Sequence, residues 1–341
     1  MKFNPSPFCD KTVAEIVDTS IKNYVIHTIN RIWRKDSNSF LGAQPVSIAR
    51  SDFFKLKKFR YVYLEKTDGV RYFLFCTLLE NHPVCIFIDR ALTMYCIELS
   101  FAKSIFYGTI FDGEIVKDKN NQWNYLIFDI IQISGDNVLQ QSFENRMEHA
   151  NKTISTLWKK NTFPLFICVK PLFSTVKDVI DNQKMLSHKS DGIICMPCEQ
   201  PVRTGRQFSM FKWKQQLDNT VDFIIRPGDT PGLFLLCVYK DEMIQPVTYT
   251  YPKTPFIWNM LSEHGLLWKS SSSNIIDSIV EDNEEIQPKD IVVECKFDTD
   301  DNIWIPVHYR PDKTQSNDYL TFRKTMVNIQ ENIQIHELIE I

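Results

Sequence analysis

Six short runs rich in β-branched and aromatic residues follow one another between Tyr61 and Ile131: YVYLE, YFLFCTLL, VCIFID, TMYCI, GTIFDGEIV and WNYLIFDII. Turn-forming clusters such as ENHP and KDKNN separate them. Each run is strand-sized, and connections this short join antiparallel neighbours. The pattern predicts an antiparallel sheet system. The same signature returns in LFICVK, DGIICM and SMFKWK. After a polar connector, QQLDNT, it appears again in VDFIIR, LFLLCVY, IVVECKF and IWIPVHY, enough strands for a small second barrel.

Around the strands the apolar period changes from two to three or four. Val13, Ile16, Val17, Ile21, Val25, Ile29 and Ile32 predict an amphipathic helix over 11–34. Residues 143–160, 174–187 and 318–341 also read as helical. The stretch KSSSSNIIDSIVEDNEEIQP is polar and acidic and reads as a surface loop. A chain of 341 residues carries an expectation of about two domains, and no internal repeat is evident.

Charge narrows the function classes. Lys plus Arg number 39 and Asp plus Glu 42, for a net charge of −3. A chain that coats nucleic acid by bulk electrostatics is normally basic, so any such contact is expected to be local and salt-sensitive. Nine irregularly spaced cysteines fit reduced thiols in an intracellular compartment. Cys195-Met-Pro-Cys198 lacks a second pair, and the preferred reading is two small apolar residues at a strand end. No apolar run reaches the roughly 18 residues of a membrane span, and the first residues lack a signal-like apolar core. A membrane partner is not expected.

The chemistry-bearing residues come in a fixed order. Lys66-Thr-Asp-Gly-Val-Arg71 follows directly on YVYLE; alone it could be a hairpin turn at Asp68-Gly69 with solvated cations. Downstream come Phe111-Asp-Gly-Glu-Ile115, Tyr125-Leu-Ile-Phe-Asp129, Ser190-Asp-Gly-Ile-Ile194, Phe211-Lys-Trp-Lys214 and Arg310-Pro-Asp-Lys313. A lysine amine attacks phosphorus only when unprotonated, and its free pKa of about 10.4 opposes that at neutral pH. Neighbouring cations and a bound metal lower it. Lys212 and Lys214, two apart, would share one strand face and could supply that charge. Glu114 and Asp191 each adjoin a DG turn and suit Mg²⁺, which binds through one or two carboxylates plus substrate phosphates.

In that order the set resembles the covalent nucleotidyltransferase superfamily, which holds the mRNA capping guanylyltransferases and the ATP-dependent ligases. The resemblance implies an α+β fold: a nucleotidyltransferase domain of antiparallel sheets with flanking helices over 1–217, then a small OB-fold β-barrel over 218–312 with a polar loop at about 269–288. A helical tail, 313–341, would follow and could pack back on the first domain. It implies that Lys66 is the nucleophile, aided by Lys212, Lys214 and Asp191. Thr67, Arg71, Arg90, Glu114, Phe128, Lys170 and Arg206 would contact GTP, with Arg71 and Glu114 at the ribose, Phe128 stacked on the base and Lys170 at the base edge. Arg310, Asp312 and Lys313 would orient the β,γ-phosphates. Glu114 and Asp191 would hold Mg²⁺ or Mn²⁺.

Several segments look like the guanylyltransferase branch: Leu41-Gly-Ala-Gln-Pro-Val-Ser47, Glu65-Lys-Thr-Asp-Gly69, Ile88-Asp-Arg-Ala-Leu-Thr93 and Thr220-Val-Asp-Phe-Ile-Ile225. The tail resembles compact guanylyltransferases of large algal DNA viruses. One departure is His308, where many cellular capping enzymes carry an arginine two residues before Arg310. The implied substrates are GTP and 5′-diphosphate RNA. RNA triphosphatase, cap methyltransferase and RNA polymerase would be separate partners of a monomer working in a nucleus or viral replication compartment. Competing readings are an ATP-dependent DNA or RNA ligase and a non-catalytic RNA-binding module.

Overall fold

A computed structural model describes residues 2–159, 163–215, 219–230, 232–251, 290–311 and 313–341, with 253, 257, 259, 261 and 263. These divide into two compact units: residues up to Trp213 together with Ile335–Ile341, and Lys214–Gln334. The expected polar loop at about 269–288 lies outside the described residues.

The first unit is built on two sheets. The larger holds β1 (Phe3–Phe8), β2 (Lys11–Ile16), β5 (Val70–Leu79), β6 (His82–Ile88), β7 (Met94–Ile97), β8 (Thr109–Lys117), β9 (Trp123–Ile133) and β10 (Asp136–Asn137), in the order β1-β2-β7-β6-β5-β8-β9-β10. β11 (Leu165–Val169) adds to β9 in parallel. The smaller sheet has the order β3-β13-β12-β4, from β3 (Ala43–Ser47), β13 (Gly205–Trp213), β12 (Ser190–Pro197) and β4 (Tyr61–Thr67). All its pairings are antiparallel except β3 with β13. The antiparallel expectation therefore holds apart from two parallel additions.

One core joins the two sheets. Leu64 and Met196 from the smaller sheet pack with Phe73, Phe75, Ile86 and Ile88 from the larger. A second core, with Leu74, Phe87, Phe111, Tyr125 and Ile127, covers the opposite face of the larger sheet. Alternation along each strand thus commits the larger sheet to burial on both faces.

The helix expected over 11–34 is corrected. Residues 11–16 pair with β1 as a strand, and the helix α1 runs only over Thr19–Trp33. Asp18 stops one and starts the other: its carboxylate accepts from the backbone N–H of Ser20 and Ile21, an N-cap. Two shorter corrections concern α3, which is Phe143–Leu157, and α4, which is Val176–Gln183. A short helix α2, Phe53–Lys58, precedes β4. The tail forms two helices. Tyr319–Glu331 packs Phe322 and Ile329 into the second unit's core, whereas Ile335–Ile339 belongs to the first unit, where Glu337 pairs with Arg50 at 2.7 Å.

The second unit is a five-stranded antiparallel sheet in the order β16-β15-β14-β17-β18. Its strands are β14 (Thr220–Pro227), β15 (Phe234–Lys240), β16 (Met243–Thr250), β17 (Ile291–Asp298) and β18 (Ile303–Tyr309). The core centres on Trp304, edge-on to Phe223 at 5.2 Å. This strand set is consistent with an OB-fold. All nine cysteines are free, and seven are buried. No helix among the described residues is long and apolar enough to cross a membrane.

Candidate active site

Asp68-Gly69 is not a hairpin turn. β4 and β5 belong to different sheets, so this dipeptide carries the chain from one to the other. A side chain at Gly69 would meet the backbone oxygen of Ile115 at 2.7 Å, so only glycine fits the close approach to β8.

Side-chain alternation then fills the space between the sheets. Leu64 faces the inter-sheet core, so Lys66, two residues on, faces the same way past the core's edge. Phe73 does the same for Arg71 on the opposing sheet. Arg71 pairs in register with Glu114, which puts that carboxylate on the same face. Phe128 on β9 is half-buried against the shared core.

Lys66 Nζ lies 2.6 Å from Asp191 Oδ1, and both side chains are about one-fifth exposed, at 20% and 18%. Asp191 reaches it through a bulge between Ser190 and Ile193, where Gly192 takes φ +153°. A bulge re-aims the residues it contains, and glycine supplies the required dihedral without strain.

A separate seam of charge runs from the neighbouring Glu65 to the far sheet. Lys170, buried just after β11, donates to the main-chain oxygen of Glu65 at 3.1 Å, pairs with Glu65 Oε1 at 3.1 Å, and lies 3.6 Å from Glu114 Oε2. Glu65 Oε1 also accepts from Thr67 Oγ1 at 2.6 Å and meets His188 Nε2 at 3.2 Å. Burial alone would raise the Glu65 carboxyl; His188, Lys170 and Thr67 outweigh it and draw it down to about 2. The guanidinium of Arg71 makes a bidentate pair with Asp112, at 2.8 and 2.5 Å, and donates to Ala43 O at 2.6 Å. It also lies 5.2 Å from the centres of both the Phe40 and Phe128 rings. Burial pushes the Asp112 carboxyl up to about 6 against the opposing pull of Arg71.

The other expected residues are placed as follows. Arg90 follows β6, and desolvation of its guanidinium, with repulsion from the Arg71 charge second, lowers its pKa. Lys212 shares a cross-strand row with Ile194 and Leu64, which sets it on the cleft face of the smaller sheet. β13 ends at Trp213, so Lys214 lies one residue past the strand that was expected to carry both lysines. Arg206 is exposed on β13. In the second unit, Arg310 lies 3.4 Å from Asp222 and 3.6 Å from Glu294, and Lys313 also pairs with Asp222. Asp312 lies outside the described residues. Asp129, within the Tyr125–Asp129 motif, makes a buried bidentate pair with Arg146 on α3, at 2.7 and 2.8 Å, and so fastens helix to sheet.

Glu65, Asp112 and Asp222 carry connections that residue type and order did not single out. Glu65 adjoins the nucleophile candidate but alternates to the other face of β4, which hides it from a period-two reading. Among the described residues no cluster of three or more His, Cys, Asp or Glu side chains could hold a metal. The donor set still fits Mg²⁺, which needs only one or two carboxylates beside phosphate oxygens; Asp191 and Glu114 are both partly exposed.

The model of the mRNA capping enzyme catalytic domain matches residues 11–216, and that of the mRNA capping enzyme C-terminal domain matches 218–339. The chain is 26% identical over 367 residues to mRNA-capping enzyme subunit alpha of Kluyveromyces lactis, covering 89% of this chain and 77% of the relative. For the protein of that name in Saccharomyces cerevisiae the values are 26% over 366 residues, 90% and 79%. The mRNA-capping enzyme of Danio rerio is 27% identical over 327 residues, 89% of this chain and 50% of the relative. Among solved structures, mycobacterial DNA ligase D complexed with ATP and MES superposes with a TM-score of 0.42 at 15% identity, over 81% of this chain and 95% of that one.

Proposed function

The chain belongs to the mRNA capping enzyme family and is a guanylyltransferase, and we propose that Lys66 carries the guanylate between its two substrates. The observation that carries this assignment is the Lys66–Asp191 contact at the edge of the inter-sheet core, flanked by Glu114, Arg71 and Phe128.

In the first step the Lys66 amine attacks the α-phosphorus of GTP. An N–P bond forms, the bond from the α-phosphorus to the bridging oxygen breaks, and pyrophosphate leaves. The amine must shed a proton, and Asp191 is the carboxylate within 2.6 Å to receive it. Lys212, on the same sheet face, and Lys214 neutralise the α-phosphate. Arg71, Arg90 and Glu114 hold the ribose and its phosphate, and Arg206 is a further phosphate ligand. Phe128 stacks on the base, Lys170 meets its edge, and Thr67 is a further GTP contact. Arg310, Asp312 and Lys313 orient the leaving phosphates. Mg²⁺ or Mn²⁺ held by Asp191 and Glu114 would add positive charge beside the phosphates. In the second step a terminal oxygen of 5′-diphosphate RNA attacks the same phosphorus. The N–P bond breaks, and the amine regains a proton.

Near-neutral net charge makes RNA binding local. The working site is the nucleus or a viral replication compartment.

The test is incubation with each of the four α-labelled nucleoside triphosphates, followed by denaturation. Label from GTP alone, lost in Lys66→Ala, is expected. An adduct from ATP alone would replace this reading with a ligase, and an adduct that survives Lys66→Ala would remove the nucleophile assignment.

A further inference from the structure

Phe53-Phe-Lys-Leu-Lys-Lys-Phe-Arg60 holds four cations and three aromatics in eight residues and no carboxylate, in a chain whose net charge is −3. The segment is α2 and its lead into β4. Within it Leu56 alone is buried, while Phe54 and Phe59 are 59% and 49% exposed. A single ring left in water is ordinary; rings grouped on a cationic surface mark an interaction site.

Lys55 gathers the group. Its Nζ lies 5.8 Å from the centre of the Phe54 ring and donates to the main-chain oxygen of Phe208 at 3.2 Å. Its own carbonyl accepts from the Phe59 N–H at 3.0 Å. Phe208, on β13, is 59% exposed. Three exposed rings are thus tied to one lysine. Asp52 pairs with Lys55 at 2.8 Å, and Glu144 pairs with Arg60. Lys57 and Lys58 are exposed and stand outside these pairs, with Lys58 Nζ 5.6 Å from the centre of the Phe59 ring.

The group lies on the outer face of the smaller sheet. Phe211 alternates with the cleft-facing Lys212, and Lys55 Nζ sits 5.3 Å from its ring. From Phe59 to Lys66 the chain is extended, a span of roughly 20 Å. A nucleic acid strand whose 5′ end sits at Lys66 covers that distance with a few nucleotides.

We propose that Phe54, Phe59 and Phe208, with Lys57 and Lys58, form a platform for single-stranded RNA downstream of its 5′ end. Every base has a face that stacks on an aromatic ring, and the lysines neutralise the phosphates between bases. An acidic peptide would use the lysines but offers no such faces to the rings. The inference rests on the reading above that 5′-diphosphate RNA is the second substrate.

The experiment measures affinity for a mixed-sequence single-stranded RNA of about 20 nucleotides, without GTP, by fluorescence anisotropy over a range of salt. Phe54→Leu, Phe59→Leu and Phe208→Leu keep an exposed apolar side chain and remove the stacking face. Each should weaken binding at least about fivefold and leave the salt slope unchanged. Phe59→Tyr should bind as wild type does. Lys57→Ala combined with Lys58→Ala should make the slope of log affinity against log salt shallower by about one. Adduct formation with GTP and transfer to a 5′-diphosphate dinucleotide should be unchanged in every variant, while KM for the long RNA rises. Wild-type affinity in all three leucine variants would overturn the platform, whatever the lysines do. Equal competition by an oligo-glutamate peptide of the same charge would assign the surface to an acidic protein partner and overturn RNA as its occupant. Adduct formation is read with no RNA present, so failure of the Lys66 reading and failure of this inference show in different measurements.

Discussion

The amine of Lys66 and the carboxylate of Asp191 meet at 2.6 Å across a bulged strand pairing, on strands whose sequences are 125 residues apart. Proximity of this kind makes Asp191 the residue whose loss should be felt in chemistry rather than in folding. Asp191→Asn keeps the shape and removes the charge. The expected outcome is adduct formation slowed about 10²-fold, with a melting temperature close to wild type. Single-turnover labelling with GTP checks it. A rate within a factor of three of wild type would leave Asp191 no part in the proton transfer.

Asp129 belongs to the same ordered motif set yet does different work. Its pair with Arg146 is almost wholly buried, the two side chains being 5% and 2% exposed. Removing one member of such a pair strands the other charge. Asp129→Ala should therefore cost about 3–5 kcal/mol, read by urea denaturation. Lys66→Ala, at a partly exposed position, should cost far less by the same measurement.

Acid should weaken the Glu65 seam over a defined range. The native carboxyl lies near 2 and its ordinary value is 4.5. A depressed native value means that the unfolded chain takes up the proton first. The contribution of Glu65 to stability is then fully present above about pH 4.5 and is lost as pH falls towards 2. Denaturation of wild type and Glu65→Gln across that range should show the gap between them closing as pH drops. A gap that stays constant would count against the assigned ionisation.

Asp222 already occupies two cations expected to receive phosphate, Arg310 and Lys313. A triphosphate bound by these cations would have to displace this internal anion. Asp222→Asn should therefore make pyrophosphate a stronger inhibitor of adduct formation, by several-fold or more. Inhibition curves for the two proteins decide it, and unchanged inhibition would show that the carboxylate does not compete.

Much of this architecture could be read before any coordinates, because period-two alternation is a local property. The runs from YVYLE to WNYLIFDII became strands, whereas the common facing of Leu64 and Phe73, which aims Lys66 and Arg71 into one space, emerges only once the two sheets are packed. Parity does not reveal which strands pair. The bidentate partner of Arg71 is Asp112, not the in-register Glu114, and only the packed sheets show it. Residues 11–16 failed for a related reason: Val13 and Ile16 fit a helical stripe, but pairing with β1 and the cap at Asp18 outweighed it. Lys214 was tied to Lys212 by a two-residue rule that lapses where β13 ends.

The nine free thiols give the molecule a built-in clock. Burial pushes Cys195, on the strand beside the nucleophile, up to about 12, and lifts Cys295, in the second unit, well above the ordinary thiol range. At neutral pH such groups hold almost none of the thiolate that alkylating reagents consume. Each is labelled only while its strand is open, so mass spectrometry of the two peptides times the breathing of each unit separately, without any added probe.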